Sequence, residues 1–236
     1  MRLLLPSAQG IVAVSQAVAD DMRRELRFEN VPITVIHNPI VTPDFDARMR
    51  EAVAWPWDDR DLPTIIFVGR LVAEKRLDLL FDSFIAMNRH TPARLLIVGT
   101  GAEQKEVERR IQEEHLQKYC RLIGYTHNVL PLIRAADVLV LPSDYEGFGN
   151  VLVEAMACGT QVVSTNCPHG PAEILDEGKF GQLVPMNDPT ALAVALRNSL
   201  NHCFLIRPED LKARASSFSV EAAVNHYMAI VRPASQ

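Results

Sequence analysis

The sequence predicts an α/β protein built on a doubly wound, Rossmann-like parallel sheet. Short β-branched runs such as "PTIIFVG" (63–69), "ARLLIVG" (93–99) and "DVLVLPS" (137–143) alternate with segments whose apolar residues recur at helical spacing. The runs are apolar throughout and do not alternate with polar residues. That pattern marks strands buried on both faces, which belong to parallel sheets covered by helices. Right-handed crossovers then wind the helices onto the two faces.

From the amino end, "GIVAVS" (10–15) reads as another buried strand. "QAVADDMRRELRF" (16–28) reads as a helix with Ser15 as its N-cap. "ITVIHNP" (33–39) is a strand closed by an Asn-Pro break. The following stretch, "IVTPDFDARMREAVAWPWDDRDLP", is interrupted by prolines, lacks strand signals and reads as a connector with one short helix. From Leu62 the rhythm becomes regular. Strands are expected at 63–69, 93–99, 120–124, 137–143 and 160–166, with helices at 76–90, 102–119, 127–136 and 150–159. A last apolar helix follows at 218–231. Residues 1–40 therefore read as the remnant of a preceding α/β domain, 41–61 as a linker, 62–217 as the main Rossmann-like domain, and 218–236 as a carboxyl-terminal helix and tail. A strand–helix–strand piece cannot bury itself alone, so further chain ahead of it is expected.

The 236 residues are 48% apolar and 22% charged, an ordinary globular composition, and the net charge of −5 gives no reason to expect nucleic acid. No apolar run approaches the roughly 18–20 residues that span a bilayer. Cys120, Cys158, Cys167 and Cys203 show neither Cys-x-x-Cys nor zinc spacing, and are expected to be reduced thiols in the cytoplasm.

The chemistry concentrates in "EGFGNVLVEAM" (146–156). Glu146 falls in the loop at the carboxyl end of a predicted parallel strand, where ligands bind in open α/β sheets. Gly147 and Gly149 let backbone approach a ligand. The free N–H groups of Phe148, Gly149, Asn150 and Val151 open the next helix and can receive an anion such as a diphosphate. Glu154 lies about one turn into that helix, flanked by apolar residues, so its carboxylate needs a partner or a cleft. It can accept two hydroxyl hydrogen bonds, as a ribose diol offers, and Glu146 can do the same for a sugar. The simpler alternative is a helix-start acid favoured by the dipole and a solvated helix position. "VGRLVAEKRLD" (68–78) adds Arg70 after a strand-ending Gly69, and Lys75 near the next helix start. Both cations are expected at the same sheet edge as Glu146, where they would stabilise a departing diphosphate. Taken singly, they could be two surface cations. Asp-x-Asp occurs as "DFD" (44–46) and "DRD" (59–61), but both read as turn carboxylates. "GTG" (99–101) reads as a turn, and Cys158 as core.

Together these segments resemble the carboxyl-terminal donor-binding domain of retaining GT-B glycosyltransferases of family 4 (glycosyltransferase group 1). The shared pattern is Glu-x7-Glu as Glu146 and Glu154, with Gly69-Arg70 and Lys75 after the first strand. The resemblance covers roughly residues 10–230. It implies that Glu146 holds the donor sugar, Glu154 the ribose, Arg70 and Lys75 the diphosphate, and backbone near Ile123 the base. Glu146, Arg70 and Lys75 would act in catalysis. The donor would be a nucleoside-diphosphate sugar, transferred with retention to a hydroxyl acceptor, without metal or cofactor. "NCPHGPAEIL" is similar to members acting on bacterial polysaccharides and lipid-linked oligosaccharides. Of the family's acceptor domain only the last pieces, "GIVAVSQAVADDM" and "ITVIHNPI" within residues 1–40, have counterparts here, and 218–231 resembles the helix that crosses back to that domain. The Gly-rich loop and active-site His of the family are not matched, and His37, His127 and His169 do not match that His. The expected partners are therefore the nucleotide-sugar and an acceptor domain in cis or in trans. Peripheral membrane contact of the full enzyme and a dimer through an exposed seam are compatible with the pattern. The chain by itself is expected to be inactive. Gln161 replaces a proline usual in the family, a change expected to be tolerated. Two alternatives share the fold: a nucleotide-sugar epimerase, and a non-catalytic nucleotide-sugar-binding module.

Overall fold

The computed structural model describes residues 8–26 and 31–231. Six parallel strands form the main sheet: β3 (Thr64–Val68), β4 (Arg94–Val98), β5 (Cys120–Leu122), β6 (Val138–Leu141), β7 (Gln161–Thr165) and β8 (Gln182–Val184). Their spatial order is β5-β4-β3-β6-β7-β8. Counted within this sheet, the order is that of the doubly wound dinucleotide fold, and its direction of winding reverses between β3 and β6. At that junction Ile65 pairs with Val138 and Ile66 with Leu139.

Both faces of the sheet are dry. Ile65, Phe67, Leu95, Ile97, Val138, Val140 and Val163 point into one core, and their neighbours Ile66, Leu96, Val98, Leu139, Leu141 and Val162 into the other. This two-sided burial is why the strands read as unbroken apolar runs. Helices α3 (Leu77–Asn88), α4 (Gln104–Glu113) and α8 (Pro189–Leu200) cover the first face. Helices α5 (Leu130–Ala135), α6 (Asn150–Cys158) and α9 (Pro208–Ser216) cover the second. A short helix α7 (Pro171–Ile174) follows β7, and α10 (Val220–Val231) ends the described chain.

Two sequence readings need correction. The strand β1 (Ile11–Ala13) is not buried on both faces: it pairs in parallel only with β2 (Ile33–Val35), and Val12 is 38% exposed. Three alternating residues in a two-stranded ribbon have just one face to bury. Helix α4 stops well short of residue 119. His115 takes a left-handed backbone, and the reversal carries Leu116 into the core, where it is 7% exposed. Helix α1 (Gln16–Leu26) does start at Ser15, whose Oγ accepts from Val18 N–H at 3.2 Å, but the expected helical residues 27 and 28 lie outside the described ones.

The connector lies against the sheet domain. Helix α2 (Phe45–Met49) buries Phe45 and Met49 in the second core beside Leu130 and Ile133. Trp55 and Trp57 follow, with Arg60 over the Trp55 ring at 3.9 Å and Arg94 over Trp57 at 5.1 Å. Gln161 does more than replace a proline. Its side chain donates to Ile206 carbonyl at 2.8 Å and accepts from Ile206 N–H at 3.1 Å, fastening the α8–α9 connection to β7.

If the connector is part of the fold, truncating its anchor must cost core energy. Phe45→Ala should lower the unfolding free energy by about 3–5 kcal/mol, and the exposed Val53→Ala by less than about 0.5 kcal/mol, in urea titrations. Equal effects would mean that the connector is not docked.

Candidate functional site

The two loops singled out in the sequence leave the sheet at adjacent carboxyl ends, one after β3 and one after β6, on either side of the reversal. The strands diverge there because successive crossovers go to opposite faces, which opens a crevice with no strand to fill it. Gly99 lets the β4 loop pass tightly under the β3 loop: its φ is +143°, and a Cβ would stand 1.9 Å from the Gly69 carbonyl oxygen. On the other side, Asp144 N–H donates to Glu74 carbonyl at 2.9 Å, and Arg76 binds Asp144 and Asp78 at 2.9 Å. These bonds lock the two loops together.

Within the crevice, Lys75 donates to Glu146 Oε1. The buried Ser143 hydroxyl donates to the same oxygen at 2.7 Å. The pair is nearly dry, with Lys75 15% and Glu146 10% exposed at the side chain. Both donors occupy Oε1, so Oε2 is left to accept from whatever enters. The stem of Lys75 passes Gly69, with its Cε 4.0 Å from where a Cβ would stand.

Helix α6 opens beside the pair. Gly149 is left-handed at φ +97°, and the first N–H to bond back is that of Leu152, to Gly149 carbonyl at 2.9 Å. Among the described residues the N–H groups of Phe148, Gly149, Asn150 and Val151 find no acceptor. Glu154, one turn on, also takes no hydrogen bond from the described residues. Burial pushes its carboxyl up to about 7, against the opposing charge of Arg48. It is a mostly buried acid with no hydrogen-bond partner among the described residues.

The structure brings together Gly69, Lys75, Glu146, Phe148, Gly149, Asn150 and Val151. Arg70 is not joined to them: its side chain is 76% exposed and reaches only Glu74, at 3.7 Å. Ile123 lies just past β5, with its N–H bonded to Ile97 carbonyl and its side chain 38% exposed. Sequence reasoning missed Ser143, whose position two residues past a strand end was the available signal. It also missed Asn38, which donates to Asn150 Oδ1 at 2.9 Å from across the chain. Of the Asp-x-Asp candidates, Asp44 precedes α2 and Asp59 pairs with Arg94. No cluster of three His, Cys, Asp or Glu with metal-ligand placement occurs among the described residues. Cys158 is core, its thiol pushed up to about 12 by burial.

An acid and an ammonium at the switch point of a doubly wound sheet, beside open helix N–H groups and a second acid, define a site for a polyol attached to an anion. The chain belongs to the group 1 glycosyl transferases, whose family model matches residues 62–202. It is 27% identical over 218 residues to N-acetylgalactosamine-N,N'-diacetylbacillosaminyl-diphospho-undecaprenol 4-alpha-N-acetylgalactosaminyltransferase of Campylobacter jejuni, covering 92% of this chain and 58% of that protein. A glycosyltransferase structure from Rickettsia africae superposes with a TM-score of 0.81 at 20% identity, over 94% of this chain and 62% of that one. The pneumococcal O-GlcNAc transferase GtfA, solved with UDP and GlcNAc, superposes with a TM-score of 0.79 at 17% identity, over 96% of this chain and 45% of that one. The chain thus spans about half to three-fifths of the length of these proteins. No described helix is long and apolar enough to cross a membrane.

Glu154 gives the site a pH signature. Its folded value, about 7, lies above the ordinary 4.5, so the folded chain holds a proton that the unfolded chain releases. The resulting destabilisation is absent below pH 4.5, grows as pH rises toward 7 and is complete above it. Glu154→Gln should therefore stabilise the protein at pH 8 by on the order of 1–3 kcal/mol and leave it unchanged at pH 4. Urea titrations at the two pH values check this, and an equal effect at both would contradict it.

Proposed function

We propose that this chain binds a nucleoside-diphosphate sugar and serves its transfer, with retention of anomeric configuration, to a hydroxyl acceptor. The observation that carries the reading is the meeting of Lys75 and Glu146 at the switch point, next to the open N–H groups of α6. In this reading Glu146 Oε2 accepts from hydroxyls of the donor sugar. Lys75 and the Phe148–Val151 amides receive the diphosphate and stabilise its charge as the glycosidic bond breaks, when it gains a negative charge as leaving group. Glu154 accepts from the two ribose hydroxyls, and backbone near Ile123 meets the base. Arg70 swings in from solvent to complete the diphosphate shell. No side chain of the described residues is needed as nucleophile, and the departing phosphate oxygen takes the acceptor's proton.

Two relatives support the chemical class. The GtfA structure holds UDP and GlcNAc. The Campylobacter transferase is named for a diphospho-undecaprenol acceptor, so a lipid-linked or polysaccharide glycan is the acceptor we favour here. An acceptor must lie within about 3–3.5 Å of the anomeric carbon, so it is held against the face of the crevice opposite β3 and β6.

Calorimetry against UDP, GDP and ADP tests the donor site. One of them should bind with a dissociation constant on the order of 0.1–1 mM, and silence from all three at millimolar concentration would overturn the reading. Lys75→Ala should weaken that diphosphate by about 1–3 kcal/mol while the bare nucleoside binds as before. Equal loss for nucleoside and diphosphate would show that Lys75 acts through the fold alone.

A further inference from the structure

His37 matches no residue of the sequence motifs, yet it occupies a specific place in the structure. Its Nε2 is 2.6 Å from Glu173 Oε1, and its ring stacks on Phe148 with centroids 5.3 Å apart and planes 22° off parallel. Phe218 closes the third side, edge-on to both rings at 5.2 and 5.6 Å. Glu173 Oε2 meanwhile accepts from Gln16 N–H at 2.9 Å, so the carboxylate that holds His37 also caps the start of α1.

Phe148 is the residue between Gly147 and the left-handed Gly149, and it is 3% exposed. Its backbone is gripped from behind by Gly170, where a Cβ would stand 1.7 Å from the Phe148 carbonyl oxygen. Phe148 is therefore a wedge, and the His37 ring is one of the surfaces packed against it. The next residue, Asn38, holds the other end of the turn through its bond to Asn150 Oδ1. A single dipeptide thus touches both ends of the Phe148–Asn150 stretch whose N–H groups stay open.

We propose that His37 and Asn38 are positioning residues that hold the Phe148–Asn150 backbone in its anion-receiving shape. The proposal rests on the donor-site reading above for its ligand, though not for its geometry. Fixed donors cost no reorganisation when charge arrives, so a loosened turn loses diphosphate affinity without losing any contact atom. What His37 supplies is its ring, since that is the part touching Phe148. His37→Phe keeps a ring and drops the Glu173 bond, and His37→Gln does the reverse.

The nucleoside diphosphate found among UDP, GDP and ADP serves as probe. His37→Ala, His37→Gln and Asn38→Ala should each bind it about fivefold to tenfold more weakly, and His37→Phe within about twofold of wild type, with the bare nucleoside unaffected in all. A second readout needs no ligand. Amide exchange by NMR at Leu152, bonded to Gly149 carbonyl, and at Ile174, bonded to Gly170 carbonyl, should quicken in His37→Ala and Asn38→Ala and not in His37→Phe. Amides of Ile66 and Leu96 in the central strands report that the fold stands. Unchanged exchange at Leu152 and Ile174 in both alanine variants would overturn the proposal, as would unchanged diphosphate affinity. Quickened exchange in a protein that binds none of the three diphosphates would support the positioning role and reject the donor-site reading. Should His37→Ala fail to fold, Asn38→Ala and the Phe/Gln pair decide the outcome.

Discussion

Lys75 and Glu146 come from loops that follow different strands, and they meet because the sheet reverses its winding between those strands. Each is too buried to be left alone. Stripping one partner from such a pair typically costs about 3–5 kcal/mol, because the other charge remains out of water. Much of the surrounding architecture works to hold the distance between them. Ser143 satisfies the carboxylate from below, Arg76 ties the two loops through Asp144, and the close approach at Gly99 sets the height of the β3 loop. The ion pair is a weak source of net stability, since hydrophobic residues would fill the same space at less cost. Its value lies in geometry: it leaves one carboxylate oxygen and one ammonium facing the same crevice, in register with the start of α6.

Glu154 follows the opposite logic. It carries no partner among the described residues, and the apolar residues around it on α6 keep water away. Such a group makes the empty site less stable than a glutamine or leucine would. A desolvated acid of this kind works against stability, and groups so perturbed cluster at functional sites. Two acids eight positions apart on one segment thus stand in different surroundings, one paired with Lys75 and one desolvated without a partner among the described residues.

Much of this was legible in the chain itself. The apolar runs of β3, β4 and β6 are the direct consequence of cores on both faces, so fold class followed from them. Glu146 and Lys75 were legible because acids and cations just past buried strands fall at the carboxyl edge. Strand β8 was not, since three residues at a sheet edge, two half-buried and Val184 buried, show no period. Helix α8 has a readable start, Asp188 capping Ala191 ahead of Pro189, which sequence reasoning passed over. Arg70 leaves the sheet edge beside Lys75 with its side chain in solvent, because position along the chain fixes where a backbone emerges and says little about where a long side chain ends. His37 and Asn38 were beyond reach: their partners stand more than a hundred positions away, and no local pattern encodes such a contact.

The register Ile65↔Val138 has a consequence for how the protein acquires its site. Strands β3, β4 and β5 are joined to their neighbours by single crossovers and can assemble as one unit. Joining β6 to β3 must wait until β4, β5 and the helices α3, α4 and α5 are in place or at least enclosed in a loop, with the entropy that such a closure demands. The crevice exists only after this non-local pairing. The amino-terminal half-sheet therefore emerges from synthesis with one long, apolar edge uncovered, and β3 is the strand at risk of pairing with the wrong chain until β6 arrives. The seam that frames the site is thus closed by a pairing distant in sequence, the kind with the highest loop-closure cost.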